Sequence, residues 1–181
     1  MTLTDFINKW NGKYLSVLTP TSKQCFDAVV GWTDNLGVPH FTGNPSPFPY
    51  PNACQIYANF GNFQAQYFTQ FPNPPVGGPK EGDIVVWAYA YNYAGGHTGV
   101  ATGKGVSTGA STDWFECFEQ NDPTGHVCQL KNYGFGNVLG WLRPKNYGTP
   151  LTCDQKLSQI KTWQKDTNIK DSDFRYKVGQ I

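Results

Sequence analysis

The sequence predicts an α+β fold in which N-terminal helices pack on an antiparallel sheet of about five to six strands. Three observations carry that expectation. Apolar residues recur at helical spacing through the first third of the chain, and from Gly82 onward they follow a strand period broken by tight turns. The composition, 39% hydrophobic and 15% charged with 20 Gly and 13 Pro, suits a cored domain with long loops better than a helical bundle. A length of 181 residues suffices for one such domain with a short appendage.

A short helix is expected over Thr4–Trp10, capped by Thr4, with Phe6, Ile7 and Trp10 on one face and Asn11-Gly12 ending it. A second should begin near Ser22, carry Cys25, Ala28, Val29 and Trp32 at helical spacing, and close at Leu36-Gly37. Residues 38–51 (VPHFTGNPSPFPYP) are too rich in proline for regular structure. A third helix is read from Asn52 to about Phe60, followed by an aromatic loop and a Pro/Gly stretch at 72–79. Gly82–Trp87 reads as a buried strand, and His97–Gly103 and Trp114–Gln120 as alternating ones. Asp122–Gly125 makes a hairpin turn, and His126–Tyr133 and Val138–Leu142 supply two more strands.

Beyond Pro150 the composition shifts, and Leu157, Ile160 and Trp163 form a helical stripe amid Lys, Gln and Asp. The expected organisation is a domain over 1–148 and a helical extension or linker over 149–181. The stripe within 150–181 is a candidate for docking on the domain, on a partner or on a second copy. A net charge of +1 without any Lys/Arg run argues against a nucleic-acid or membrane-surface partner, and no segment approaches the length of a membrane span. The opening Met1-Thr-Leu-Thr-Asp-Phe-Ile lacks a basic run leading into an apolar stretch, so no signal peptide is expected.

Five Cys, at 25, 54, 117, 128 and 153, show no C-x-x-C or zinc-finger spacing. In a reducing compartment each is, by default, a small buried hydrophobe. Cys25 stands out because it falls in the first turn of the second helix, where outward N–H groups and the dipole favour a thiolate. Gln24 beside it offers an amide donor to an oxyanion, together with the Cys25 backbone N–H. His97 follows Ala94-Gly95-Gly96 and opens a strand, a placement suited to a base facing a cleft. Glu119 and Asn121, one residue apart on a strand, should share a face, and either could fix the His97 tautomer. Each residue has an ordinary reading taken singly. The order Cys, Gly-Gly-His and then a polar pair is what a Cys–His–orienter triad needs. Cys54, which also starts a helix, is the rival nucleophile, and His40 and His126 are the rival bases; the sequence favours none of them.

The chain resembles the CHAP family, the cysteine, histidine-dependent amidohydrolases/peptidases, which are distant papain-like enzymes. Gln24-Cys25-Phe26-Asp27 is similar to the family's Q-C-x-D, Gly82-Asp83-Ile84-Val85-Val86-Trp87 to its G-D-I-x-V-aromatic strand, and Gly96-His97-Thr98-Gly99-Val100 to its G-H-x-G/A-V. Glu119-Gln120-Asn121 resembles its E-x-N, and Gly140-Trp141-Leu142-Arg143-Pro144 its closing G-[WY]-x-R-P, so that the resemblance covers about residues 4–146 in order. It implies a papain-like CHAP fold and a peptidoglycan hydrolase, either an N-acetylmuramoyl-L-alanine amidase or an endopeptidase of the stem peptide or cross-bridge. The implied roles are Cys25 as nucleophile, His97 as base, Glu119 or Asn121 as orienter, and Gln24 with the Cys25 N–H as oxyanion donors. Trp87, Tyr89, Tyr91 and Tyr93 are expected to line the cleft, where they could stack on sugar or pack on peptide.

One departure concerns metal. Many lytic members carry an Asp-x-Asp stretch before the nucleophile that binds calcium with the Asp after the Cys. Here Ser16, Leu18 and Pro20 stand at about those positions, leaving Asp27 alone, too few oxygens for a hard cation. No metal or cofactor is expected, and Asp27 is expected to brace local backbone instead. Without a signal peptide, the expected setting is synthesis in a host cytoplasm and action on the wall after holin release or as a virion component, as in a bacteriophage endolysin or tail lysin. The alternative is a catalytically idle CHAP-like unit, kept for wall binding or as a structural part of a virion.

Overall fold

The computed structural model describes residues 1–17, 22–38, 52–73, 77–89 and 95–148, with Cys153, Asp154, Leu157, Ile160 and Lys161 as helical positions beyond them. Helix α1 (Leu3–Trp10) is capped by Thr2 rather than by Thr4. The Thr2 hydroxyl accepts from the Asp5 N–H at 3.1 Å and the Asp5 carboxylate accepts from the Thr2 N–H at 3.2 Å, a reciprocal box that moves the start forward. Helix α2 (Cys25–Asn35) begins after the expected Ser22, because Gln24 is extended at φ −97° and ψ 163°. Asp27, in the helix's first turn, takes the Gln24 N–H at 2.8 Å and the Ser22 hydroxyl at 2.6 Å, and also accepts from the Val17 N–H at 2.7 Å. A carboxylate there both caps the helix and complements its dipole.

The third expected helix shrinks to a single turn, α3 (Gln55–Ala58), and a second short turn, α4 (Gln64–Tyr67), leads straight into strand β1 (Phe68–Pro72). The other strands are β2 (Ile84–Trp87), β3 (His97–Val106), β4 (Trp114–Glu119), β5 (Gln129–Gly134) and β6 (Val138–Pro144). They form one six-stranded antiparallel sheet in the order β1-β6-β2-β3-β4-β5. The architecture is α+β, at the upper end of the expected strand count. Strand β1 falls in the stretch read as an aromatic loop; it is an edge strand ending at Pro72, and an edge is where a sheet tolerates proline. Strand β3 runs past Gly103 through a register shift between Ala101 and Gly105.

One sheet face carries Ile84, Val86, Val100, Phe118 and Leu142 and packs with Phe6, Val29, Trp32 and Ile56 from the helices. The Phe6 ring lies 5.7 Å from Trp32 and 5.8 Å from Phe118, and the Trp32 indole N–H donates to the Gly82 carbonyl at 3.2 Å. Alternate residues, Val85, Trp87, Ala101, Phe115, Cys117, Val138 and Trp141, form a second cluster. Strand β2 is therefore buried on both faces, as its unbroken apolar run predicts. Arg143 at the end of β6 grips Asp83 before β2 with two bonds, Nε to Oδ1 at 3.0 Å and Nη2 to Oδ2 at 2.7 Å. Of the C-terminal stripe, Leu157 and Ile160 are helical positions, Leu157 exposed, and Trp163 lies outside the described residues. No helix among the described residues is long and apolar enough to cross a membrane.

Candidate active site

Cys25 is the first residue of α2, where backbone N–H groups have no partner within the helix and the dipole is positive. His97 is the first residue of β3, buried, and preceded by Gly96 at φ +73°. A Cβ at Gly96 would fall 2.6 Å from the Trp87 carbonyl oxygen and 2.7 Å from the Cys54 Cβ, so a glycine is required for these segments to meet. Glu119, the last residue of β4, is wholly buried. A Cβ at Gly99 would lie 2.8 Å from the Cys117 sulfur and 3.0 Å from the Glu119 Cβ, so the missing side chain makes room for Glu119 beside His97.

The three side chains meet. His97 Nε2 lies 3.4 Å from Glu119 Oε2, an ion-pair contact rather than a short hydrogen bond. The same ring is hydrogen-bonded to the Cys25 side chain, which leaves Nδ1 for the sulfur. Burial alone would push His97 down. Hydrogen bonding and negative charge from Cys25 and Glu119 overcome it and bring His97 from 6.5 up to about 9. At neutral pH this favours the imidazolium, which can give a proton and, once neutral, take one back. Burial pushes the Cys54, Cys117 and Cys128 thiols up instead, Cys128 to about 12.

Asn121 does not share Glu119's face. The strand stops at Glu119 and Asn121 adopts φ +71°, which breaks the alternation expected from their spacing. Its amide N–H donates to Gln24 Oε1 at 3.0 Å, and its Oδ1 accepts from the Gly125 N–H at 2.6 Å. That hold on Gln24 leaves the Gln24 amide donors uncommitted among the described residues. Gln120, between the two, carries no chemical signal of its own in the sequence and is wholly buried. It donates to the Leu15 carbonyl at 3.0 Å and the Gln24 carbonyl at 3.1 Å while accepting from the Leu15 N–H at 2.7 Å. Three consecutive residues thus bind three parts of one site: His97, the backbone before Cys25, and the Gln24 side chain. Gln129, which no motif in the sequence marks, holds Glu119 Oε1 at 2.8 Å.

The aromatic residues divide. Trp87 is 3% exposed and lies beneath His97, ring centres 5.2 Å apart, so it supports the imidazole rather than presenting an open face as expected. Tyr89 is 58% exposed. Tyr91, Tyr93 and His40 lie outside the described residues. Cys54 is buried in the turn before α3, and His126 is exposed beside the turn held by Asn121.

Among the described residues, the surroundings of Asp27 do not fit a calcium site; Leu18 and Pro20 lie outside those described. Both Asp27 oxygens accept from chain donors, Val17, Ser22 and Gln24, as the expected bracing role requires, and Ser16 offers no charge.

Comparison with solved structures places this fold among known ones. LysIME-EF1, a wild-type endolysin, superimposes with a TM-score of 0.57 over 80% of this chain and 64% of its own, at 23% identity. Ly7917, solved with the hydrolysis product of MDP, gives a TM-score of 0.52 over 77% of this chain and 60% of its own, at 18% identity. A further crystal structure of Ly7917 gives 0.53 over the same shares at 16% identity. The chain therefore shares its fold with these proteins and spans about three fifths of their length. No family model and no curated protein matches it.

Proposed function

We propose that this chain hydrolyses amide bonds of bacterial peptidoglycan, as an N-acetylmuramoyl-L-alanine amidase or as a stem-peptide or cross-bridge endopeptidase. The observation that carries the reading is one imidazole held between Cys25 at a helix N-terminus and the buried Glu119. The shared fold with an endolysin, and with a protein solved with a hydrolysis product, supports the substrate class.

In this reading the Cys25 sulfur attacks the amide carbonyl carbon, its proton having passed to His97 Nδ1. The oxyanion of the tetrahedral intermediate is met by the Cys25 backbone N–H and the Gln24 amide, which Asn121 holds by its oxygen end. The C–N bond then breaks, His97 protonates the leaving amine, and a thioester remains on Cys25. Water attacks that thioester while His97 takes its proton, releasing a carboxylic acid and restoring the thiol. Glu119 keeps the ring oriented and its positive charge compensated throughout. Of the four aromatic residues expected to line the cleft, Tyr89 is the described one open to a sugar or peptide.

Clearing of purified Gram-positive cell walls tests this. Wild type is expected to clear them, Cys25→Ala to leave them turbid, and a chelator to change nothing. Binding without clearing by both proteins would favour an idle wall-binding unit.

A further inference from the structure

A buried carboxylate is costly unless its oxygens are occupied. Glu119 Oε2 faces His97; Oε1 accepts from the Gln129 amide at 2.8 Å, and the other N–H of that amide goes to the Asp122 carbonyl at 2.6 Å. Both amide hydrogens are used, so the group is fixed. Gln129 stands directly across the β4–β5 ladder from Glu119. Lys131 follows on the same face of β5 and would bring a cation to Glu119. It is instead held at 2.6 Å by Asp122 Oδ2, which also accepts from the Tyr133 hydroxyl at 2.6 Å.

We propose that Gln129 is a positioning residue: its neutral amide turns the Glu119 carboxylate toward His97, and because it brings no charge, the imidazolium remains that carboxylate's counter-ion. The inference rests on the Cys25–His97 hydrolase reading above. A Lys or Arg in place of Gln129 would satisfy Glu119 equally well and remove its hold on the proton of His97. Asp122 serves the same end by retaining Lys131.

Two variants of the full chain test it. Gln129→Met removes both donors at similar side-chain length; Gln129→Lys keeps Glu119 satisfied and adds a cation. In each, the His97 titration followed by NMR is expected to fall well below that of wild type. On solubilised wall fragments, kcat should drop by roughly tenfold or more while KM stays within about twofold. Thermal melts establish folding, and Gln129→Lys carries the test should Met prevent it. An unchanged His97 titration and unchanged kcat in folded Gln129→Lys would overturn the proposal. The titration needs no turnover: if wild type releases no fragment from any wall, the hydrolase reading fails, while a lowered titration in both variants still supports Gln129 as the residue that sets Glu119.

Discussion

The behaviour of His97 follows from a contest between burial and its two neighbours. Burial favours the neutral ring; Cys25 and Glu119 favour the charged one and win, which places His97 at about 9. Glu119→Gln keeps shape and removes the charge, so the His97 titration should fall toward 6.5 and the alkaline limb of the rate profile should move down with it. NMR of the ring and a pH–rate profile check this together. Asn121→Ala should act elsewhere: it frees Gln24, lowering kcat by about tenfold or more with the His97 titration unmoved. Cys25, His97 and Glu119 were legible in the sequence because a helix start, a Gly-Gly-His and a strand end each leave a local mark. The split between Glu119 and Asn121 was not legible. It depends on a positive φ at Asn121, where spacing alone predicts a shared face.

Among the elements, α2 and the β3–β4 pair do most to assemble the site. Asp27 sets where α2 begins, and through Gln24 it sets where Cys25 points. Asp27→Ala would strand three donors and should cost about 3 kcal/mol in denaturant unfolding. Gly99→Ala would press a methyl group against Cys117 and Glu119. A loss of about 1–3 kcal/mol is expected by thermal melting, with activity falling further than stability because Glu119 is displaced from His97. The strands from Gly82 onward were readable because their apolar periods are clear and their turns contain Gly and Pro. β1 was not, since Phe68-Thr69-Gln70-Phe71 shows no strand period and ends in proline, resembling a loop until β6 pairs with it. Gln129 was hidden for a related reason. The β4–β5 connection is long and irregular, so the turn residues alone do not fix which residue faces Glu119.

For the whole molecule, a two-sided core packs both faces of the sheet while one helix end meets the sheet at His97. Asp83 and Arg143, which the sequence presents as parts of separate motifs, are one bidentate contact joining β2 to β6. The raised His97 also couples folding to pH. Between 6.5 and about 9 the folded protein binds a proton that the unfolded chain does not, so this contribution is complete below 6.5 and is lost as pH rises through 9. Urea midpoints across that range should decline more for wild type than for Glu119→Gln.

The central claim, amide hydrolysis by Cys25, is tested most directly by mass spectrometry of the fragments released from purified walls. The account predicts products each carrying the elements of water across one amide, with a new free amine and a new carboxylate, and none from Cys25→Ala. Products bearing new reducing sugar ends, or equal release by Cys25→Ala, would contradict it.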